Sequence, residues 1–128
     1  MNVEPKRSRK ISLFEDEPVV AKLLEQLITQ YGHKHIVTAK TMEEALAHID
    51  FAATTPDTVD TIITDANLDT SSDGRDGEVI VRRTRTKLPG VTVVCFSGRH
   101  ELAEADANFL KPDFHPLFKY LNEPDEVS

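Results

Sequence analysis

Apolar and polar positions follow two different periods along this chain, and the switch between them recurs. Short apolar runs of strand length stand at Lys10–Phe14, His35–Ala39, Asp60–Thr64 and Val91–Phe96. After the first run, Val20, Leu23, Leu24, Leu27, Ile28 and Tyr31 return at three- and four-residue spacing, which is one stripe of a helix. Pro18 suits the first turn of that helix, with Asp16 or Glu17 near its cap, and Gly32 stops it. After the second run, Thr41 and Glu44 form a capping box, and Met42, Ala45, Leu46 and Ile49 supply an apolar face. "TTPD" (54–57) is a loop, as is the polar, glycine-containing "ANLDTSSDGRDG" (66–77). A helix is expected over Glu78–Lys87, although "VIV" (79–81) has poor helix propensity. "LPG" (88–90) is a turn, and the β-branched run after it is the clearest strand. A polar segment (97–107), the apolar pair Phe109-Leu110 and a short helix over His115–Asn122 complete the pattern.

Strands alternating with helices imply a parallel sheet covered on both faces. In such sheets ligands bind beyond the carboxyl ends of the strands. That rule selects residues. Glu15 and Asp16 end the first strand, Asp65 the third, Ser97 the fourth, and Lys111 ends a fifth built on Phe109-Leu110. These five polar groups should meet in one crevice.

Composition narrows the chemistry. The 128 residues suit one domain, with 39% hydrophobic residues for one core. Fifteen basic residues against 22 acidic give a net charge of −7, which argues against a general nucleic-acid binder. The basic clusters Lys6, Arg7, Arg9, Lys10 and Arg82, Arg83, Arg85, Lys87 read as solvated surface. Of the histidines, His33, His35, His48 and His115 read as surface or cap residues, and His100 lies close behind Ser97. A lone cysteine, Cys95, in an apolar run excludes an internal disulfide and reads as core. No apolar run approaches the ~20 residues of a membrane span, and the N-terminus lacks the apolar centre of a signal peptide. The expectation is a soluble, cytoplasmic protein with a flexible arm at 1–9, one domain over 10–122 and a tail at 123–128.

Glu15, Asp16 and Glu17 are adjacent acids, and two carboxylates ~4 Å apart repel by about 1 kcal/mol in water and about 4 kcal/mol near a protein surface. A cation offsets that cost. Three carboxylates without clustered Cys or His make an oxygen-only site that suits Mg²⁺. A lysine and a hydroxyl facing the metal are what a phosphoryl group needs, because its transfer spreads charge over three equatorial oxygens. An aspartate can be the nucleophile and become an aspartyl-phosphate, and Asp65, alone at the tip of a central strand, is the best placed.

"ISLFEDEP", "TIITDAN", "VVCFSG" and "FLKP" resemble, in order, the four signatures of the receiver domain of two-component response regulators. The resemblance runs from about Lys10 to Asn122. It implies a flavodoxin-like doubly wound sheet of five parallel strands in the order 2-1-3-4-5. It implies that Glu15 and Asp16 hold Mg²⁺, that Asp65 is both phosphoacceptor and metal ligand, and that Asn67 gives the metal its backbone carbonyl. Ser97 would be the switch hydroxyl and Lys111 the lysine that pairs with a phosphoryl oxygen, with Lys111-Pro112 a cis peptide. Gly98 would leave the phosphoryl group room, and Asn67 and Arg99 would stand where the family tunes dephosphorylation. The donor would be a phosphohistidine on a sensor histidine kinase or a histidine phosphotransfer protein. The output would be contact with an unknown downstream protein rather than enzymatic turnover.

The sequence also departs from that pattern. The first acid is usually aspartate and here is Glu15. The loop after Asp65 is a few residues longer than usual and lacks the proline normally near Asp69. Its extra groups Asp69, Asp73, Arg75 and Asp76 either reach the site or belong to a solvated loop. The stretch from Ser97 to Lys111 is about two helical turns short, so the fourth helix is stunted or absent. Asn108 holds the place of the switch aromatic, with Phe109 one position late. Either the fifth strand is one residue short or the aromatic switch is missing. The last helix is short, with Pro116 near its start. A face cut down in this way implies a monomer or a non-standard dimer, and the sequence ends soon after the fold, so a stand-alone receiver is expected. The main alternative is a pseudo-receiver that binds partners without phosphorylation. A phosphatase of the haloacid dehalogenase type is disfavoured, because asparagine stands at 67 where such enzymes want a second aspartate.

Overall fold

The computed structural model describes residues 8–123. Five strands, β1 (Lys10–Phe14), β2 (Lys34–Ala39), β3 (Thr61–Thr64), β4 (Thr92–Ser97) and β5 (Ala107–Leu110), form one sheet in the order β2-β1-β3-β4-β5. Every pairing is parallel. Four helices complete the chain: α1 (Pro18–Gln30), α2 (Met42–Thr54), α3 (Arg75–Lys87) and α4 (Phe114–Asn122). This is the flavodoxin-like doubly wound fold. Among the described residues, no helix is long and apolar enough to cross a membrane.

The helix boundaries follow from local chemistry. Pro18 opens α1 behind an extended Glu17, and Gly32 closes it at φ 88°, where a side chain would be strained. Thr41 Oγ1 accepts the Glu44 N–H at 3.1 Å, half of the expected capping box. The return bond goes one residue further back, from Lys40 N–H to Glu44 Oε1 at 2.8 Å. Helix α3 starts three residues before the expected Glu78, because Gly74 at φ 89° turns the loop into it. The β-branched "VIV" is helical there because burying Ile80 and Val81 outweighs its poor propensity. Pro116 sits in the first turn of α4, where its missing N–H costs no helical bond.

The sheet separates two apolar layers. Ile11, Leu13, Ile63, Val94 and Phe96 face α1 and α4. Phe14 and Ile62 face α2 and α3, and Val93 and Cys95 extend that face toward β5. Between β4 and β5 no helix forms: residues 98–106 are turns, bends and irregular chain. Leu102, 2% exposed, packs with Val81, Val93 and Cys95 and covers that end of the sheet. Asn108 lies in β5 and bonds the backbone of Leu102, while Phe109 belongs to the opposite layer, 5.6 Å from the Tyr120 ring. The strand is thus four residues long, with the amide of Asn108 where the resemblance implies an aromatic residue.

Two sequence readings need correction. His33 and His48 are buried. His33 Nδ1 accepts the Arg9 N–H at 3.0 Å and its Nε2 meets Asn122 Oδ1 at 2.7 Å, while His48 Nε2 meets Ser12 Oγ at 2.7 Å. Each ring sits inside because a polar partner satisfies it there. The expected arm at 1–9 and tail at 123–128 fall mainly outside the described residues, but Arg9 is no part of an arm. It is buried, with Nε on the Leu121 carbonyl at 2.7 Å and Nη1 on Thr61 Oγ1 at 2.9 Å.

Candidate functional site

Backbone ladder bonds carry the selected side chains to one end of the sheet. Glu15 N–H continues β1 onto the Ala39 carbonyl at 2.9 Å, and Asp65 N–H continues β3 onto the Phe14 carbonyl at 3.0 Å. Lys111 N–H bonds the Ser97 carbonyl at 2.9 Å, just past β5. A cleft of about 470 Å³ opens there, with Asp16, Asp65, Asn67, Ser97, His100 and Lys111 in its walls. The ends of β1, β3, β4 and β5 thus bring the selected residues together.

Lys111 Nζ lies 2.9 Å from Glu15 Oε1 and 2.8 Å from Asp65 Oδ2. One ammonium therefore bridges the first and third strand ends. Glu15 is 1% exposed and Asp65 9%. Burial pushes the Glu15 carboxyl up to about 7, with Asp65 adding to the rise and Lys111 opposing it. Asp16 is exposed at the mouth, and it too is raised, first by desolvation and then by the nearby Asp65 charge. Burial works against the Lys111 charge, but its bonds to Asp65 and Glu15 outweigh this and raise it above its ordinary value. A single lysine thus faces three acids, and the site has room for further positive charge.

A divalent cation fits that description. One carboxylate oxygen from each of Glu15, Asp16 and Asp65 lies within 4.8 Å of the others. The donors are all hard oxygens with no sulfur or imidazole among them, the set Mg²⁺ takes while keeping several waters.

Ser97 is buried at the end of β4, and its Oγ accepts the His100 N–H at 3.4 Å. Asn67 N–H donates to Asp65 Oδ1 at 3.3 Å. The Asn67 side chain turns to the loop instead: Oδ1 accepts from Gly74 N–H at 2.6 Å and Ser71 Oγ at 3.0 Å, and Nδ2 meets His100 Nδ1 at 3.2 Å. The peptide Lys111-Pro112 is cis.

The loop after Asp65 adds no acid to the Glu15, Asp16 and Asp65 oxygen cluster; Asp69, Asp73 and Arg75 are exposed, as in a solvated loop, and only Asp76 turns inward. Asp76 is buried and accepts Leu68 N–H at 2.7 Å, Ser71 N–H at 3.1 Å, Thr70 N–H at 3.2 Å and the Thr70 hydroxyl. Burial alone would raise its carboxyl, but the bonds from Thr70, Leu68 and Ser71 prevail and hold it below the usual carboxylate range. Asp69 Oδ1 accepts the Met42 N–H at 2.7 Å and so caps α2, while Asp73 pairs with Arg75 at the surface. The organising role of Asp76 and the Asn108 clamp escaped sequence reading, since neither belongs to a local pattern that names its partner.

Comparison with known proteins follows the geometry. The family described as "Response regulator receiver domain" matches residues 11–122. No curated protein sequence matches. The fold resembles a solved response regulator receiver domain protein (CheY-like) from Methanospirillum hungatei JF-1, at 19% identity and TM-score 0.72, covering 90% of this chain and 91% of that one. It also resembles the signal receiver domain of an HD domain-containing protein from Pseudomonas fluorescens Pf-5, at 20% identity and TM-score 0.70, covering 90% and 92% of the two chains. The receiver domain from the hybrid histidine kinase CckA shares 25% identity at TM-score 0.70, over 88% of this chain and 94% of that one.

Proposed function

Because the chain belongs to the response regulator receiver domain family, we propose that it accepts a phosphoryl group on Asp65 in a Mg²⁺-dependent reaction and signals by protein–protein contact. The observation that carries this reading is the Lys111 bridge: Nζ is 2.8 Å from Asp65 Oδ2 and 2.9 Å from Glu15 Oε1, with Asp16 in the same oxygen cluster.

A carboxylate oxygen of Asp65 attacks the phosphorus of a phosphohistidine. The N–P bond breaks, the imidazole leaves with its electron pair, and an acyl phosphate forms on Asp65. The donor is a sensor histidine kinase or a histidine phosphotransfer protein. Lys111, positioned on both acids, neutralises a phosphoryl oxygen. The Ser97 hydroxyl donates to another, while its oxygen keeps the His100 N–H. Glu15, Asp16, Asp65 and the Asn67 backbone carbonyl would hold Mg²⁺, which when bound supplies positive charge to the transferring oxygens. Glu15, whose carboxyl is held high by burial, would have to be ionised to hold the metal.

The helix-free 98–106 segment supports a monomer or a non-standard dimer, because a helix there would form part of the family's common dimer face. A chain without a membrane-crossing helix among its described residues is consistent with work in the cytoplasm.

Incubation with phosphoramidate and Mg²⁺, followed by intact mass measurement, tests the reading. One added phosphoryl group, lost on chelation of the metal before the donor is added, is the expected result. Equal labelling of Asp65→Ala would overturn it.

A further inference from the structure

The walls of the cleft are joined by a ring of hydrogen bonds, and one member of it has a side chain with no role in the reading above. Asn67 N–H donates to Asp65 Oδ1 at 3.3 Å, and Asn67 Nδ2 meets His100 Nδ1 at 3.2 Å. The His100 N–H reaches Ser97 Oγ at 3.4 Å, and the Ser97 carbonyl accepts the Lys111 N–H at 2.9 Å. Lys111 Nζ returns to Asp65 Oδ2 at 2.8 Å. Four of the five residues are already placed as acceptor, metal ligand, switch hydroxyl and counter-charge. The fifth is His100.

The protonation pattern of that contact is settled by its neighbours. Asn67 Oδ1 accepts two donors, Gly74 N–H at 2.6 Å and Ser71 Oγ at 3.0 Å, so the amide is fixed with its NH₂ toward the ring. Nδ2 can only donate, so His100 Nδ1 is the acceptor and the ring proton sits on Nε2. His100 also packs beside Gly74: a Cβ there would come 3.5 Å from its Cδ2 and Cγ. His100 therefore fastens the 66–74 loop to the helix-free connection that follows β4.

We propose that His100 is a positioning residue of the phosphoryl site: by holding the Asn67 side chain it fixes the Asn67 backbone, whose N–H touches Asp65 and whose carbonyl is assigned to the metal. This rests on the phosphoacceptor reading for its purpose, but its geometry stands apart from it. Groups one step outside a metal's ligands orient those ligands, and their loss weakens binding by about 10–100-fold.

Three measurements test this. Ring ¹⁵N spectra of the wild-type protein should show Nδ1 bare and Nε2 protonated; a protonated Nδ1 overturns the contact. Calorimetric titration of His100→Ala with Mg²⁺ alone should give affinity about tenfold weaker than wild type, with the metal-free thermal midpoint nearly unchanged. His100→Gln, which offers an acceptor oxygen to Asn67, should recover most of that affinity. Wild-type affinity in a folded His100→Ala, or an equal loss in both variants, overturns the inference. The two readings fail separately. A wild type that takes no phosphoryl mass while His100→Ala still loses Mg²⁺ affinity refutes only the phosphoacceptor role. A phosphorylated wild type with an unaffected His100→Ala refutes only the positioning role.

Discussion

Asn108 holds Leu102 by both ends of its amide: Oδ1 accepts the Leu102 N–H at 2.8 Å, and Nδ2 donates to the Leu102 carbonyl at 3.1 Å. A strand side chain thereby supplies the backbone partners that a helix would have supplied to itself. It keeps Leu102 pressed over Val81, Val93 and Cys95. Replacing Asn108 with Ala leaves the N–H of a buried residue without its partner, while the Leu102 carbonyl keeps the Ala105 N–H at 3.1 Å. The expected cost is about 1–3 kcal/mol, a fall in Tm of about 5–10 °C. Amide exchange should rise in residues 98–106 before it rises in the sheet. Unchanged protection there would show that the clamp does not hold the segment.

Gly77 is the floor on which Leu102 rests. A Cβ at 77 would stand 2.7 Å from Leu102 Cδ1 and 2.9 Å from Ala66 Cα. Gly77→Ala is therefore expected to destabilise by about 1–3 kcal/mol through overpacking. In a Leu102→Ala background the penalty should shrink without vanishing, because the Ala66 backbone remains. Urea unfolding of the four proteins gives the coupling directly. Additive effects would mean that the two side chains do not meet.

Most of this architecture was legible in the sequence, and the limits have physical reasons. The strand ends carrying Glu15, Asp65, Ser97 and Lys111 stood out because apolar runs stop abruptly at polar groups. The start of α3 is not legible because Gly74 and Arg75 look like loop, and only a left-handed turn at Gly74 makes them a helix start. The burial of His33 and His48 is hidden in the sequence because their partners, Arg9 and Ser12, lie 24 and 36 residues away. The burial of Asp76 is hidden for a similar reason. Its partners are loop N–H groups, which the sequence does not mark as donors awaiting an acid.

Glu15 makes the metal-free protein sensitive to pH. Burial raises its carboxyl from 4.5 in the unfolded chain to about 7 in the fold. Between those values the folded chain keeps a proton that the unfolded chain has lost. Its contribution to stability is complete below 4.5 and disappears as pH climbs through about 7. Thermal melts without metal should therefore show stability falling over that window. Mg²⁺ must displace the same proton, so the rise in Tm that it gives should be larger at about pH 8 than at about pH 5.5. A Mg²⁺ effect independent of pH would contradict a ligand role for Glu15. Glu15→Gln should remove most of the pH dependence.

Cys95 should be inert in the native protein. It is fully buried, and desolvation, with the nearby Asp65 charge adding to it, pushes its thiol up to about 12. Thiolate is the reactive form. A disulfide reagent should label Cys95 only as fast as the chain opens, and immediately in denaturant. Rapid native labelling would place the β4–β5 segment away from the sheet.

The central claim is that Asp65 carries the phosphoryl group, and borohydride trapping tests it at the level of the residue. After reaction with phosphoramidate and Mg²⁺, borohydride reduces an acyl phosphate to an alcohol and turns the aspartate into homoserine. Peptide mass spectrometry should find homoserine at position 65, dependent on both donor and metal. Homoserine at Asp16 or another acid, or none in a folded protein that binds Mg²⁺, would contradict the account.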